Sequence, residues 1–204
     1  MTAHTQPAHT LNIKATGVIA AAVMCSRLLG LLREILFNAL FGAPAMGLFL
    51  IAFRAPNLLR DLFAEGALSI SFVTVFSKTM ITQDEQHAWT LARKMLTLAT
   101  LLMTGISVLG IFFAKPLITL LAPGFSAGDI HTTVYLTQIM YPFILLISLA
   151  AIVMGILNTK NIFGIPALAS SFFNIGSIIG GILCAWFIDP TFGEKALIGL
   201  AIRF

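Results

Sequence analysis

Met95-Leu-Thr-Leu-Ala-Thr-Leu-Leu-Met-Thr-Gly-Ile-Ser-Val-Leu-Gly-Ile-Phe-Phe113 runs for 19 residues without one ionisable side chain. As an α-helix it would rise about 28 Å, close to the ~30 Å of hydrocarbon in a bilayer. Comparable runs lie on both sides of it. They predict helices over 15–41, 45–77, 132–157 and 164–188, with a sixth from 191 that reaches the last residue without a stop signal. The central run is expected to extend through Lys115 and Pro116 to residue 121, and residues 1–13 to form a short polar cytoplasmic tail. The fold expected is all-α, a polytopic transmembrane helical bundle over residues 14–204 of about six spans, the last of them cut short.

Composition agrees. Hydrophobic residues make up 58% of the 204 and charged ones 10%, with a mean hydropathy of +0.98. Soluble domains carry about 25% charged residues, so this chain has too few to wet a globular surface, and it is too apolar for disorder. The net charge of +4 is spread over several spans and forms no nucleic-acid patch. Cys25 and Cys184 lie inside apolar runs, which suits neither a disulfide framework nor a zinc site. His4 and His9 in the tail lack partner ligands. No G-x-x-x-x-G-K loop is present for an ATP-driven pump. The first run carries Arg27, Arg33 and Glu34 and no small-residue cleavage site, so it is a retained helix and not a secretory signal.

Charge inside the spans carries the functional signal. The third, fourth and fifth runs hold none, whereas the first two hold Arg27, Arg33, Glu34, Arg54, Arg60, Asp61 and Glu65. Each arginine at mid-membrane costs about 2.5–3.5 kcal/mol on insertion scales, and such a cost is tolerated where the group faces water or partners. Arg54, Asp61 and Glu65 share one helical face if Pro56 does not rotate the register, as do Arg27, Gly30 and Glu34. Two readings follow. In one, the charges pair internally, Arg33 with Glu34 and Arg60 with Asp61 or Glu65. In the other, four arginines against three acids leave a cationic cavity for a phosphate-bearing or carboxylate-bearing solute, which the guanidinium fork holds well. Pro56 and Pro142 would kink their helices, and Gly176-Ser-Ile-Ile-Gly180 reads as a helix-contact motif. Lys and Arg counted over the connections, five on the N-terminal side and two opposite, predict a cytoplasmic N-terminus.

An ordered series of motifs narrows this. Ser26-Arg-Leu-Leu-Gly-Leu-Leu-Arg-Glu34, Phe41-Gly-Ala43, Phe53-Arg-Ala-Pro-Asn-Leu-Leu-Arg60, Phe63-Ala-Glu-Gly-Ala67, Ala122-Pro-Gly-Phe125, Tyr141-Pro-Phe-Ile-Leu-Leu-Ile-Ser148 and Leu157-Asn-Thr159 follow in sequence. From about Ala15 onward the chain closely resembles the start of the lipid II flippases of peptidoglycan synthesis, the MurJ/MviN family of the multidrug, oligosaccharidyl-lipid and polysaccharide exporter superfamily. The resemblance implies a transporter and not an enzyme, in the bacterial inner membrane. It would alternate access to a cationic cavity between two helical lobes.

The implied partners are lipid II (the undecaprenyl-pyrophosphate-linked disaccharide-pentapeptide), the phospholipid bilayer and other cell-wall synthesis proteins. By position, Arg27, Arg33 and Arg60 match the family's essential arginines and Arg54 a usual basic residue, with Glu34, Asp61 and Glu65 as ion-pair partners. No cofactor is implied, only a coupling sodium ion or the membrane potential, and the sodium site belongs to a second lobe. This chain lacks the acidic residue that commonly follows Phe41-Gly-Ala43, and Asp61 stands where a second basic residue is frequent. The rivals are a polysaccharide or other lipid-linked oligosaccharide exporter, and a membrane enzyme of polyprenyl-phosphate metabolism built on Asp84, Glu85 and His87.

Overall fold

A computed structural model describes residues 13–61, 69–160 and 162–203. The elements are α1 (Ile13–Arg60), α2 (Ser69–Thr82), α3 (Glu85–Phe112), α4 (Ala114–Leu121), α5 (Ala127–Met140), α6 (Phe143–Thr159), α7 (Gly164–Ile188) and α8 (Ala196–Ile202). Four stretches are long and apolar enough to cross a membrane: Ala20–Leu59, Glu85–Phe112, Ala127–Thr159 and Gly164–Ile188. The tail, with His4 and His9, and the segment holding Phe63 and Glu65 lie outside the described residues.

The first stretch is two limbs. Gly42, at φ 77° and ψ 159°, leaves helical space in a region open mainly to glycine. Pro44 then sits in the opening turn of the second limb, where its missing N–H has no helical partner to lose. A straight helix would set Phe37 and Phe49 about 18 Å apart along its axis. Instead both rings lie against one guanidinium, that of Arg203, at 4.3 and 5.4 Å, so the chain doubles back at Gly42.

Contacts at the helix ends sort the bundle into two poles. Lys160 Nζ lies 2.8 Å from Glu85 Oε1 and 4.7 Å above the Trp89 ring, so the α2–α3 junction and the end of α6 share one pole. At the other, Phe41 meets Phe192 edge-to-face at 5.6 Å, and Thr132 Oγ1 donates to Glu194 Oε1 at 2.6 Å. The Gly42 bend, the start of α5 and the α7–α8 loop therefore lie together. That loop is shaped by Asp189, whose Oδ1 accepts from the Thr191 N–H at 3.0 Å and whose Oδ2 accepts from the Gly193 N–H at 3.1 Å.

Two expectations are corrected. The polar stretch 78–94, which the sequence leaves between the helices expected over 45–77 and from 95, is helical except at Gln83 and Asp84. Asp84 caps α3 by accepting from the His87 N–H at 2.7 Å. The charged residues of that stretch therefore lie on extensions of α2 and α3 that project from the apolar zone. The helix expected over 95–121 breaks at Phe113 into α3 and α4. The Gln138 side chain covers the Ile111 carbonyl there at 3.1 Å, which offsets a helix end left unsatisfied.

α7 is inverted relative to a helix of a soluble bundle. The inward stripe of α7 is Ser171, Asn174, Ser177, Gly181 and Ala185, whereas Phe172, Ile179, Leu183 and Phe187 face outward. Small inward residues let membrane helices approach closely. At Gly199 the closeness is extreme: a Cβ there would collide with the backbone of Cys184 and Ala185. Gly176 has nothing near it and Gly180 only the Cβ of Arg203, 3.9 Å from where its own Cβ would stand. The tight seam is thus Gly199 on α7, and not the Gly176–Gly180 pair. Gly110 likewise leaves room for the Tyr141 ring.

Pro56 removes the N–H that would bond the Ala52 carbonyl. The Thr137 hydroxyl, fully buried on α5, shares its one hydrogen between that carbonyl at 3.2 Å and Thr133 O at 2.7 Å. Thr137→Val should lower stability of the complete protein by about 1–3 kcal/mol, measured by thermal unfolding in detergent. In a Pro56→Ala background the N–H returns and most of that loss should vanish. At the α3 cap, the His87 N–H and then the His87 ring hold the Asp84 carboxyl below its ordinary range. A carboxyl depressed on folding stabilises above its unfolded value and loses the effect as pH falls through its folded one. The stability gap between wild type and Asp84→Ala should therefore close in strong acid, followed by thermal unfolding against pH.

Candidate functional site

The cations of α1 sit at middle depth. Arg33 lies nine residues before Gly42 and Arg54 twelve after it, which places them about 13 and 18 Å from the bend along their limbs. Arg27 is six residues further from the bend than Arg33. The two limbs thus bring cations from distant sequence into one band of the bundle.

Within that band the side chains divide. Ser26, Gly30, Arg33, Phe37 and Phe41 fall on one stripe of the first limb. Asn174 of α7 meets this stripe: its Nδ2 donates to Ser26 O at 3.0 Å, and its amide stands 3.6 Å from where a Gly30 Cβ would be. Arg33 is accordingly half-buried, its side chain 22% exposed, and its Nη2 lies 3.9 Å from Glu34 Oε1. That is an ion pair too long for a hydrogen bond. Arg27 and Glu34 lie off the stripe and are exposed. Gly30 faces α7 and so does not share their face. On the second limb Arg54 and Asp61 are both exposed, seven residues apart and on one face as the spacing predicts. Arg60 ends α1, and its side chain, like Glu65, lies outside the described residues.

Among the described residues, Arg33–Glu34 is the ion pair recorded within α1, and none is recorded for Arg27 or Arg54. Internal pairing therefore accounts for one arginine weakly, and two others present their guanidiniums on exposed faces.

Arg203 is the cation that the sequence reading passed over. It follows α8, is held over Phe37 and Phe49, and its Nη1 donates to Ser177 O at 3.4 Å. Gly181 makes the room, since a Cβ there would stand 3.0 Å from Arg203 Cδ. Arg203 stacks on Phe37, which lies one helical turn from Arg33 on the same stripe of α1. Two like charges so placed raise the local potential, and that potential favours an anion. The signal in the sequence was an arginine within the apolar run that begins near residue 191.

Among the described residues no group of His, Cys, Asp or Glu could hold a metal ion. Asp84, Glu85 and His87, the cluster that a polyprenyl-phosphate enzyme would need, are engaged otherwise. Asp84 caps α3, Glu85 binds Lys160 and Trp89, and His87 stacks back on Asp84.

Among the described residues, four helical stretches long and apolar enough to cross a membrane, with arginines at mid-depth, define a multi-pass helical membrane protein. The profile of the lipid II flippase MurJ family matches residues 37–204. The chain belongs to that family. It is 34% identical over 182 residues to a probable lipid II flippase MurJ of Buchnera aphidicola, covering 88% of this chain and 35% of that one. It is 35% identical over 200 residues to the corresponding protein of Vibrio cholerae, covering 93% of this chain and 37% of that one. A solved lipid II flippase MurJ in an inward closed conformation superposes with a TM-score of 0.70 at 31% identity, over 90% of this chain and 39% of that chain. The chain thus spans about a third of the length of the curated relatives it matches.

Gly30 and Asn174 fix how the first limb sits. Gly30→Leu should push Asn174 off the Ser26 carbonyl and rotate Arg27 and Arg33 away from their positions. We expect impaired function of the complete protein with little loss of abundance, scored by complementation beside immunoblotting, and a milder effect from Gly30→Ala.

Proposed function

We propose that this chain forms the N-terminal lobe of a flippase that moves lipid II across the bacterial inner membrane during cell-wall synthesis. The observation that carries the proposal is the cationic band: Arg27 and Arg54 exposed on α1, with Arg33 half-buried and Arg203 stacked on Phe37 one helical turn from it. A pyrophosphate is the group such a band is suited to hold, because arginine forks match phosphate oxygens and stay charged in a dry setting. Arg27, Arg33, Arg60 and Arg54 would engage the headgroup. Glu34, Asp61 and Glu65 would keep the arginines oriented between cargoes. The polyprenyl tail would remain in lipid while rocking of two lobes exposes the headgroup to the other side. A sodium gradient or the membrane potential would drive the cycle, and cell-wall synthases would receive the product.

Drug and cation exporters of similar architecture would want an acidic cavity, which the arginine surplus disfavours. In the complete protein, Arg27→Ala and Arg60→Ala should each cut flipping at least about tenfold, as expected when a charged contact worth 1.5–3 kcal/mol is removed, with membrane abundance unchanged. The readout is outer-leaflet lipid II in intact cells depleted of the native flippase. Normal flipping by both variants would falsify the site assignment.

The two poles also make an orientation test. With the N-terminus inside, Gln83→Cys should be reached by thiol reagents only from the cytoplasm, and Lys195→Cys from the periplasm. The opposite pattern would invert the proposed topology.

A further inference from the structure

Away from the arginine band, at the pole shared by the Gly42 bend and the α7–α8 loop, α4 and α5 enclose a hollow of about 380 Å³. Two pairs at helical i, i+4 spacing face it, Lys115 and Thr119 from α4 and His131 and Tyr135 from α5, with Gln138 one turn deeper. A second, shallower recess on the other side of α4 shares Lys115 and Thr119 and is completed by Pro116 and Leu120. Among the described residues lining either recess there is no Asp or Glu. The nearest carboxylate on α5, Asp129, is occupied by its own helix cap, where it accepts from the Ser126 hydroxyl at 2.7 Å.

The setting is the boundary of the apolar zone. α3 ends at Phe112, and α4 is a short helix that buries Ala114 and Ile118 while Phe112, Phe113 and Leu120 stand 77%, 61% and 78% exposed. A short amphipathic helix beside a span, with aromatic residues at its start and a lysine on its polar side, has the character of a segment lying in the headgroup layer. A polar cationic hollow that adjoins an apolar shelf is complementary to an amphiphile with an anionic head.

We propose that the α4–α5 cleft binds an anionic glycerophospholipid of the adjoining leaflet. Lys115 and His131 face its phosphodiester, Tyr135 donates a hydroxyl hydrogen bond, Thr119, whose hydroxyl donates to the Lys115 carbonyl at 3.0 Å, lines the wall, and one acyl chain lies along Pro116 and Leu120. The site is separate from the cargo band, which lies near mid-depth on α1, and does not depend on which solute the protein carries.

The test uses the complete protein purified in neutral detergent, titrated with dioctanoyl-phosphatidylglycerol and followed by thermophoresis. Dioctanoyl-phosphatidylcholine and inorganic phosphate serve as separate arms. Phosphatidylglycerol should bind at least about fivefold more tightly than phosphatidylcholine, and millimolar phosphate should not displace it. Lys115→Ala should weaken binding at least about fivefold, as expected from ~1 kcal/mol per cation near a lipid surface. His131→Ala should weaken it independently, while Lys195→Ala, at the same pole but outside the cleft, should not. Lys115→Arg should fold and retain binding, which separates loss of charge from loss of structure. Displacement by phosphate would make this a free-anion site, equal binding of phosphatidylcholine would remove the charge recognition, and unchanged binding in both Lys115→Ala and His131→Ala would place the lipid elsewhere. Any of the three overturns the proposal.

Discussion

No water is available in hydrocarbon to take up a polar group that the fold leaves over, and that constraint orders this bundle. Several backbone carbonyls are covered by a named side chain. Thr137 takes the carbonyl freed by Pro56, Gln138 the carbonyl at the end of α3, Ser107 the Tyr141 carbonyl at 3.0 Å beside Pro142, and Asn174 the Ser26 carbonyl. These bonds are also the ties between helices distant in sequence. The same groups that make irregular backbone tolerable therefore set which helix lies against which.

Against that economy the arginines stand out. Buried polar groups elsewhere are neutral; Ser107, Thr137, Ser148 and Asn174 are bonded, whereas the hydroxyls of Thr133, Tyr141, Ser171 and Ser177 have no hydrogen-bond partner among the described residues. On α1 charged groups are retained at mid-depth, with a single long ion pair among the described residues. Arg203 is placed where it adds to the positive potential near Arg33. The exposure of Arg27 and Arg54, with no ion pair recorded for either among the described residues, is what supports the proposal of an anionic headgroup arriving from outside the chain.

The helical, membrane-spanning character was legible from the sequence because apolar run length alone decides it. So were the Arg33–Glu34 pair and the interruption between a helix ending at residue 41 and one starting at 45. The α2–α3 junction was misread, because charged residues between apolar runs look the same whether they form a loop or helical extensions into water. Only the Asp84 cap distinguishes the two. The break at Phe113 carries no glycine or proline at its own position, and it depends on Gln138 from another helix. Gly176 and Gly180 matched a contact motif, but the phase of α7 is set by Asn174 and Gly181, which face Gly30 and Arg203. Arg203 escaped notice because its importance comes from Phe37 and Phe49, far away in sequence.

The seam at Gly199 has a mechanical consequence. With its backbone seated against that of Cys184 and Ala185, α8 has no clearance to slide along α7, and the Arg203 guanidinium stacked between Phe37 and Phe49 clamps the two limbs of α1 to the same strut. Whatever displacement the lobe undergoes, these pieces travel as one rigid wedge. The slip planes must lie at the looser seams, where α6 borders α7 and where the α2–α3–α6 group abuts the rest.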